Sequence, residues 1–178
     1  FLTIENRIFL AKDKFIKHAK PLANHQPAGW KKFEQSAQDL AKIKRLEEAQ
    51  TKISEGLKKF PNQFNLLTIA NDVYRTAGNR EKALEYAELL IIHHPSKWKG
   101  FGRLAQDLVE LKRLEEAQIK ISEGLKKFPN QFNLLTIAND VYRTSGNREK
   151  ALEYAELLII HHPSKWKGFG RLAQDLVE

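Results

Sequence analysis

FNLLTIANDVYRTAGNREKALEYAELLIIHHP occupies residues 64–95, and its two halves are punctuated differently. In the first, apolar or small residues at Leu67, Ala70 and Tyr74 recur at helical spacing, and Gly78-Asn79 supplies the positive-φ stop that ends a helix. In the second, Ala83, Ala87 and Leu90 form one stripe, and Pro95 cannot continue the helix. The stretch therefore predicts two amphipathic helices joined by a tight turn and closed by a proline. Asn62, Ser96, Asn130 and Ser164, each directly after a proline, are expected to cap the helices that follow.

The unit recurs. Pro27, Pro61, Pro95, Pro129 and Pro163 are each 34 residues apart. Residues 30–97 and 98–165 differ at nine of 68 positions: Lys32/Gly100, Glu34/Gly102, Gln35/Arg103, Ser36/Leu104, Ala41/Val109, Lys42/Glu110, Ile43/Leu111, Thr51/Ile119 and Ala77/Ser145. A third copy opens at Trp166 and runs to Glu178. The period is thus 34, used in two alternating flavours inside a near-identical 68-residue duplication. A unit of this size cannot bury its own apolar face, so copying it lengthens a stack without redesigning the core.

The pattern resembles the tetratricopeptide repeat, a 34-residue helix-turn-helix with W-x2-L-G-x2-Y, then A-x3-F, then P. One flavour gives Leu67-x2-Ala70-Asn71-x2-Tyr74, Ala83-x3-Ala87 and Pro95; the other gives Phe101-x2-Leu104-Ala105-x2-Leu108, Ala117-x3-Ile121 and Pro129. The resemblance implies an all-α solenoid coiled as a right-handed superhelix. Its repeats would be 30–63, 64–97, 98–131 and 132–165, with 166–178 the first helix of a fifth. Residues 1–29 read as a degenerate N-terminal repeat or cap: Lys12-Asp13-Lys14 aligns with Arg80-Glu81-Lys82 and Ala19 with Ala87, while Pro21 interrupts the helix. Two departures stand out. Asn71 and Asn139 replace the small residue at the close helix contact, so their amides need buried partners. Lys44 and Lys112 replace Gly78 and Gly146, which predicts a different turn.

Composition bounds the rest. At 178 residues and 42% hydrophobic, the chain can bury a real core. No run is long and apolar enough to span a bilayer, so no membrane insertion is expected. The absence of cysteine removes disulfides, thiolate metal sites and a cysteine nucleophile; it suits a reducing cytoplasm, the compartment favoured here, without choosing it. The chain starts at Phe1 and has no methionine, so a fragment or processed product is expected, its targeting unknown. The net charge of +8 is spread as +3, +3, +2 and 0 over residues 1–29, 30–97, 98–165 and 166–178. Such interleaving describes solvated helix faces better than a phosphate-binding stripe.

No residues read as catalytic. Gly100-Phe101-Gly102-Arg103-Leu104-Ala105 fits G-x-G-x-x-A but lacks the strand that a dinucleotide fingerprint must follow. Those glycines are expected to let a neighbouring backbone or ligand come close. The pairs His93-His94 and His161-His162 point about 100° apart along a helix, which suits a helix C-terminus better than a metal shell. Trp30, Trp98 and Trp166 are expected to be packed aromatics. The expectation is no enzyme, no metal and no cofactor.

In the fold that the resemblance implies, the first helix of each pair lines a concave channel. The residues there would be Asn65, Thr68, Ile69, Asp72 and Arg75; Lys99, Gly102, Arg103 and Gln106; Asn133, Thr136, Ile137, Asp140 and Arg143; and Lys167, Gly170, Arg171 and Gln174. Lys99-x3-Arg103 and Lys167-x3-Arg171 match the last element of the family's carboxylate clamp, but Glu34, Gln38 and Ile69 stand where its other elements would be, so that clamp is not expected. The leading expectation is a protein-interaction scaffold holding a peptide or helix, acidic by the charge of Lys99, Arg103, Arg75 and Arg143. The resemblance also allows an accessory array of a larger bacterial enzyme, such as a glycosyltransferase or sulfotransferase. Nucleic-acid binding ranks third, and homo-association through an uncapped C-terminal helix is a further expectation.

Overall fold

The structure is a computed structural model and describes residues 29–165 together with residue 170. Its helices are α1 (Gly29–Lys42), α2 (Leu46–Lys59), α3 (Phe64–Thr76), α4 (Arg80–His93), α5 (Lys99–Glu110), α6 (Leu114–Lys127), α7 (Phe132–Thr144) and α8 (Arg148–His161). No strand occurs among the described residues. The chain is an all-α helical-repeat solenoid. The expected N-terminal cap, Trp166 and the fifth first helix lie outside the described residues, apart from Gly29, which opens α1, and Gly170.

The local signals act through identifiable groups. α2 and α6 begin with paired glutamates and end with paired lysines, Glu47-Glu48 to Lys58-Lys59 and Glu115-Glu116 to Lys126-Lys127, matching charge to the helix dipole. Asn79 and Asn147 cap α4 and α8 by accepting from the amides of Lys82 and Lys150, both at 3.1 Å. The caps expected after the prolines are displaced. Gln63 caps α3 and Gln131 caps α7, one residue beyond Asn62 and Asn130. α5 begins at Lys99 with no side-chain cap, so Ser96 lies too far back to serve it.

The turns correct a second expectation. Gly78 and Gly146 hold φ of 78° and 77°, and Lys44 and Lys112 hold 60° and 61°. Asn79 N–H donates to Tyr74 C=O at 2.9 Å, and Arg45 N–H donates to Leu40 C=O at 2.9 Å, so both flavours close with the same six-residue hydrogen bond. The lysines make the glycine turn in the left-handed region, where an L side chain is strained. Chain direction after the turn, set by that hydrogen bond, outweighs the local preference.

The two flavours trade volume across the helix pair. Gly56 and Gly124 face Phe33 and Phe101, and a Cβ there would come within 2.9 and 2.8 Å of the phenylalanine Cβ. The other flavour holds Leu67 with Leu90 and Leu135 with Leu158 at the corresponding positions, all at most 1% exposed. A large and a null side chain substitute for two of middle size, which keeps the interior filled. Tyr74 stacks on Tyr86 and Tyr142 on Tyr154, each pair with centroids 5.4 Å apart, and burial pushes the hydroxyls of Tyr86 and Tyr154 up to about 12.

Successive helices pack against each other throughout, and two further contacts set the shape. α1 packs along α3 and α5 packs along α7, whereas α2, α4, α6 and α8 make no comparable contacts with one another. The odd-numbered helices therefore form the inner wall of the stack. That wall is uneven. α3 and α5 do not share the close backbone approach of α1 with α3 or α5 with α7, while α4 and α5 pack more closely than either α2 with α3 or α6 with α7. Gly100 explains the tight side of this joint. A Cβ at that position would lie 2.9 Å from the Ile91 backbone nitrogen and 3.1 Å from the Leu90 Cβ, so only glycine lets α5 press on α4.

Candidate functional site

The opening between α3 and α5 is bridged by side chains. Asp107, with no exposed side-chain surface, accepts from the Arg75 Nε at 2.8 Å and forms an ion pair with its Nη2 at 2.7 Å. The Asn71 Nδ2 donates to the Asp107 Oδ2 at 2.6 Å and to the Ala83 carbonyl at 2.8 Å, while its Oδ1 accepts from the Arg103 Nη1 at 2.8 Å. Arg103 also pairs with Asp72, its Nη2 donating to Oδ2 at 3.0 Å and its Nη1 donating to Oδ1. Arg75 adds bonds to Gln106 Oε1 and to the Arg103 carbonyl, both at 3.3 Å. Asn71 thus finds the buried partners its position demands, and so does Asn139, whose Nδ2 donates to the Ala151 carbonyl at 2.7 Å.

This network revises the charge expected of the groove. Arg75 and Arg103, only 25% and 19% exposed, hold the array's own carboxylates. Burial pushes the Asp107 carboxyl up from its usual range, against the pull of Arg75 and Asn71. Lys99 lies 5.6 Å from the centre of the Phe64 ring, close enough for a cation–π contact. Thr68 is buried, with its Oγ1 lacking a hydrogen-bond partner, rather than presented to a ligand. Asn65, Asp72, Gln106, Thr136, Asp140 and Arg143 are half-buried and Asn133 is exposed. Lys167, Arg171 and Gln174 lie outside the described residues. Sequence reasoning left Asp107 out of the groove. Its signal was a carboxylate three residues after Leu104 and next to Leu108, on a face that otherwise reads as apolar.

The other motifs resolve into packing. Gly100 meets a neighbouring backbone, and Gly102 meets the Ile137 side chain, whose Cδ1 would lie 2.8 Å from an added Cβ. Trp98 is half-buried against the main core. His94 Nε2 donates to the Asn62 carbonyl at 2.7 Å and His162 Nε2 to the Asn130 carbonyl at 2.8 Å, so each ring reaches the loop before its repeat rather than its own helix end. Burial, with His94 alongside, pushes the His93 ring down, which opposes the cationic form expected at a helix C-terminus. No group of three metal-ligating side chains, and no helix long and apolar enough to cross a membrane, occurs among the described residues.

The chain is similar to the solved structure of TTC0263, a thermophilic TPR protein of Thermus thermophilus, with 20% identity and a TM-score of 0.69 over 84% of this chain and 82% of that one. The chain has the tetratricopeptide-repeat fold. The tetratricopeptide array also superposes on a tetratricopeptide repeat protein from Parabacteroides merdae, at 16% identity and a TM-score of 0.70, covering 96% of this chain and 64% of that one. YrrB, a TPR protein with an unusual peptide-binding site, is 16% identical with a TM-score of 0.59, covering 94% and 80%. Among curated proteins the array resembles the human General transcription factor 3C polypeptide 3, at 26% identity over 134 residues. That match covers 74% of this chain and 15% of the relative, so the array spans a small part of that protein's length. No profile of a known protein family matches the chain.

Proposed function

We propose that the array is a non-catalytic protein-interaction scaffold whose inner wall, built from α1, α3, α5 and α7, holds a peptide or helix of a partner. The observation that carries this reading is the α3–α5 joint. Its cations are committed to Asp72 and Asp107, so the wall is held in shape before any ligand arrives, and a pre-shaped groove loses less ordering entropy on binding. The internal pairing of Arg75 and Arg103 also weakens the case for a general acid-seeking groove and for a phosphate-binding stripe. Partner charge is then read by the less committed groups at the rim.

Site-directed photocrosslinking tests the reading. A benzophenone amino acid at Gln38 or Asn133, on inner-wall helices, is expected to capture protein partners in an extract of the cells that make the chain. The same probe at Ile119, on α6 and 56% exposed, is expected to capture none of them. Partners captured from Ile119 alone would move the interaction surface to the outer helices.

A further inference from the structure

Two of the nine differences between the 68-residue copies fall on one spot of the inner wall. Between α1 and α3 lies a cavity of about 340 Å³, with Ala41, Ile69 and Val73 supplying its apolar surface and Gln38, Lys42, Asp72 and Thr76 its polar groups. In the second copy the residues equivalent to Ala41 and Lys42 are Val109 and Glu110. Val109 adds two carbons to the same wall and packs against the main core. Glu110 reverses the charge and lies 3.6 Å from the Arg80 Nη2. Ile69, Asp72 and Val73 recur unchanged as Ile137, Asp140 and Val141.

We infer that the α1/α3 cavity is a specificity pocket for an aliphatic side chain of a partner segment with a carboxylate beside it. This deepens, and rests on, the scaffold reading above. Apolar complementarity comes from the partly buried Ala41 and from the remaining open surface of Ile69 and Val73, which are 6% and 2% exposed on a wall otherwise rich in polar groups. Charge complementarity comes from Lys42. Its one described ion pair, with Asp39 at 3.4 Å, joins side chains 72% and 57% exposed, an arrangement that holds a charge weakly and leaves it for a ligand. Asp72 does not oppose an incoming carboxylate, because both of its oxygens already accept from Arg103. The two copies therefore read a bound segment differently, with the first offering space and a cation and the second a filled wall and an anion.

The chain itself supplies the test variant. A41V/K42E gives the first copy the residues of the second at this spot, where the second copy carries them opposite the same Ile, Asp and Val of the facing helix. Short random peptides displayed on phage are selected on the full chain, and the enriched peptides are synthesised for affinity measurements. The expected motif is an aliphatic residue adjacent to Asp or Glu. Affinity is expected to fall about tenfold in A41V/K42E, the loss appropriate to one buried aliphatic side chain. Equal affinity for parent and A41V/K42E overturns the pocket. In that event, crosslinking of the same peptides from Asn133, on the inner wall away from the pocket, leaves the scaffold reading standing, while crosslinking only from Ile119 removes both. Failure of any peptide to enrich also counts against both.

Discussion

Lys44 and Lys112 sit in the left-handed region where Gly78 and Gly146 sit, and they make the same turn without glycine's freedom. Left-handed strain of about 1–2 kcal/mol, less the entropy cost of a glycine, leaves an expected gain of about 0.5–1 kcal/mol for Lys112→Gly, read from urea unfolding at constant slope. A loss of stability would show that the lysine side chain holds a contact worth more than the strain. Asp107 argues in the other direction. Asp107→Ala removes the carboxylate that faces Arg75 in a largely buried site, an expected loss of about 2–3 kcal/mol, while pairing Asp107→Leu with Arg75→Met recovers most of it. Because burial pushes the Asp107 carboxyl up, the folded chain binds a proton there at higher pH than the unfolded chain. Its contribution to stability is complete below the unfolded pKa of about 3.9 and declines as pH rises through the folded value. Stability measured against pH for the parent minus Asp107→Asn is expected to fall across that window. A difference that rises instead would mean that Arg75 and Asn71 outweigh burial.

At the scale of elements, the glycines of α5 separate two kinds of close approach. A Cβ on Gly100 meets the Ile91 backbone, which cannot step aside without moving α4, whereas a Cβ on Gly102 meets the tip of Ile137. Alanine gains about 1 kcal/mol of helix propensity at either site. Gly100→Ala is nonetheless expected to destabilise by about 1–2 kcal/mol, and Gly102→Ala to fall within about 0.5 kcal/mol of the parent. Equal effects would show that α4 and α5 slide freely past each other. The sequence made the helices legible here, since Leu67, Ala83, Ala87 and Leu90 are all buried as their periodicity implies. It misplaced the caps because a residue's distance from a proline does not say where the next helical hydrogen bond begins. Gln63 and Gln131 reach forward to accept from the amides of Asn65 and Asn133 with one more methylene than the expected Asn caps.

For the whole array, the α3–α5 joint divides a stack of near-identical units. The inner helices are in close contact on either side of it, and at the joint the inner wall depends on Arg75, Asn71, Asp107, Arg103 and Asp72. A repeat stack unfolds by repeat and interface, so the joint sets how strongly the halves are coupled. Hydrogen exchange on the parent is expected to protect α3 and α5 together. In Asp107→Ala, amides of α1–α4 and α5–α8 are expected to exchange as two groups with different opening free energies. Uniform loss of protection across all eight described helices would show that α4 against α5 alone couples the halves.

What the sequence determined by itself is the period, the helix pairs and the class of fold, because proline spacing, glycine stops and apolar stripes act within a single 34-residue unit. It also showed that Asn71 needs buried partners, since an amide at a close helix contact must be satisfied. What the tertiary structure decided is which charges the inner wall presents. Arg75 and Asp107 stand 32 residues apart, as Arg103 and Asp72 stand 31 apart; Arg75, Arg103 and Asp72 each look like a solvated charge on their own helix, and the apolar face around Asp107 does not say which cation meets it. Their pairing depends on how far α5 is pressed onto α4, a distance set by the missing Cβ of Gly100 and by no pattern within either helix.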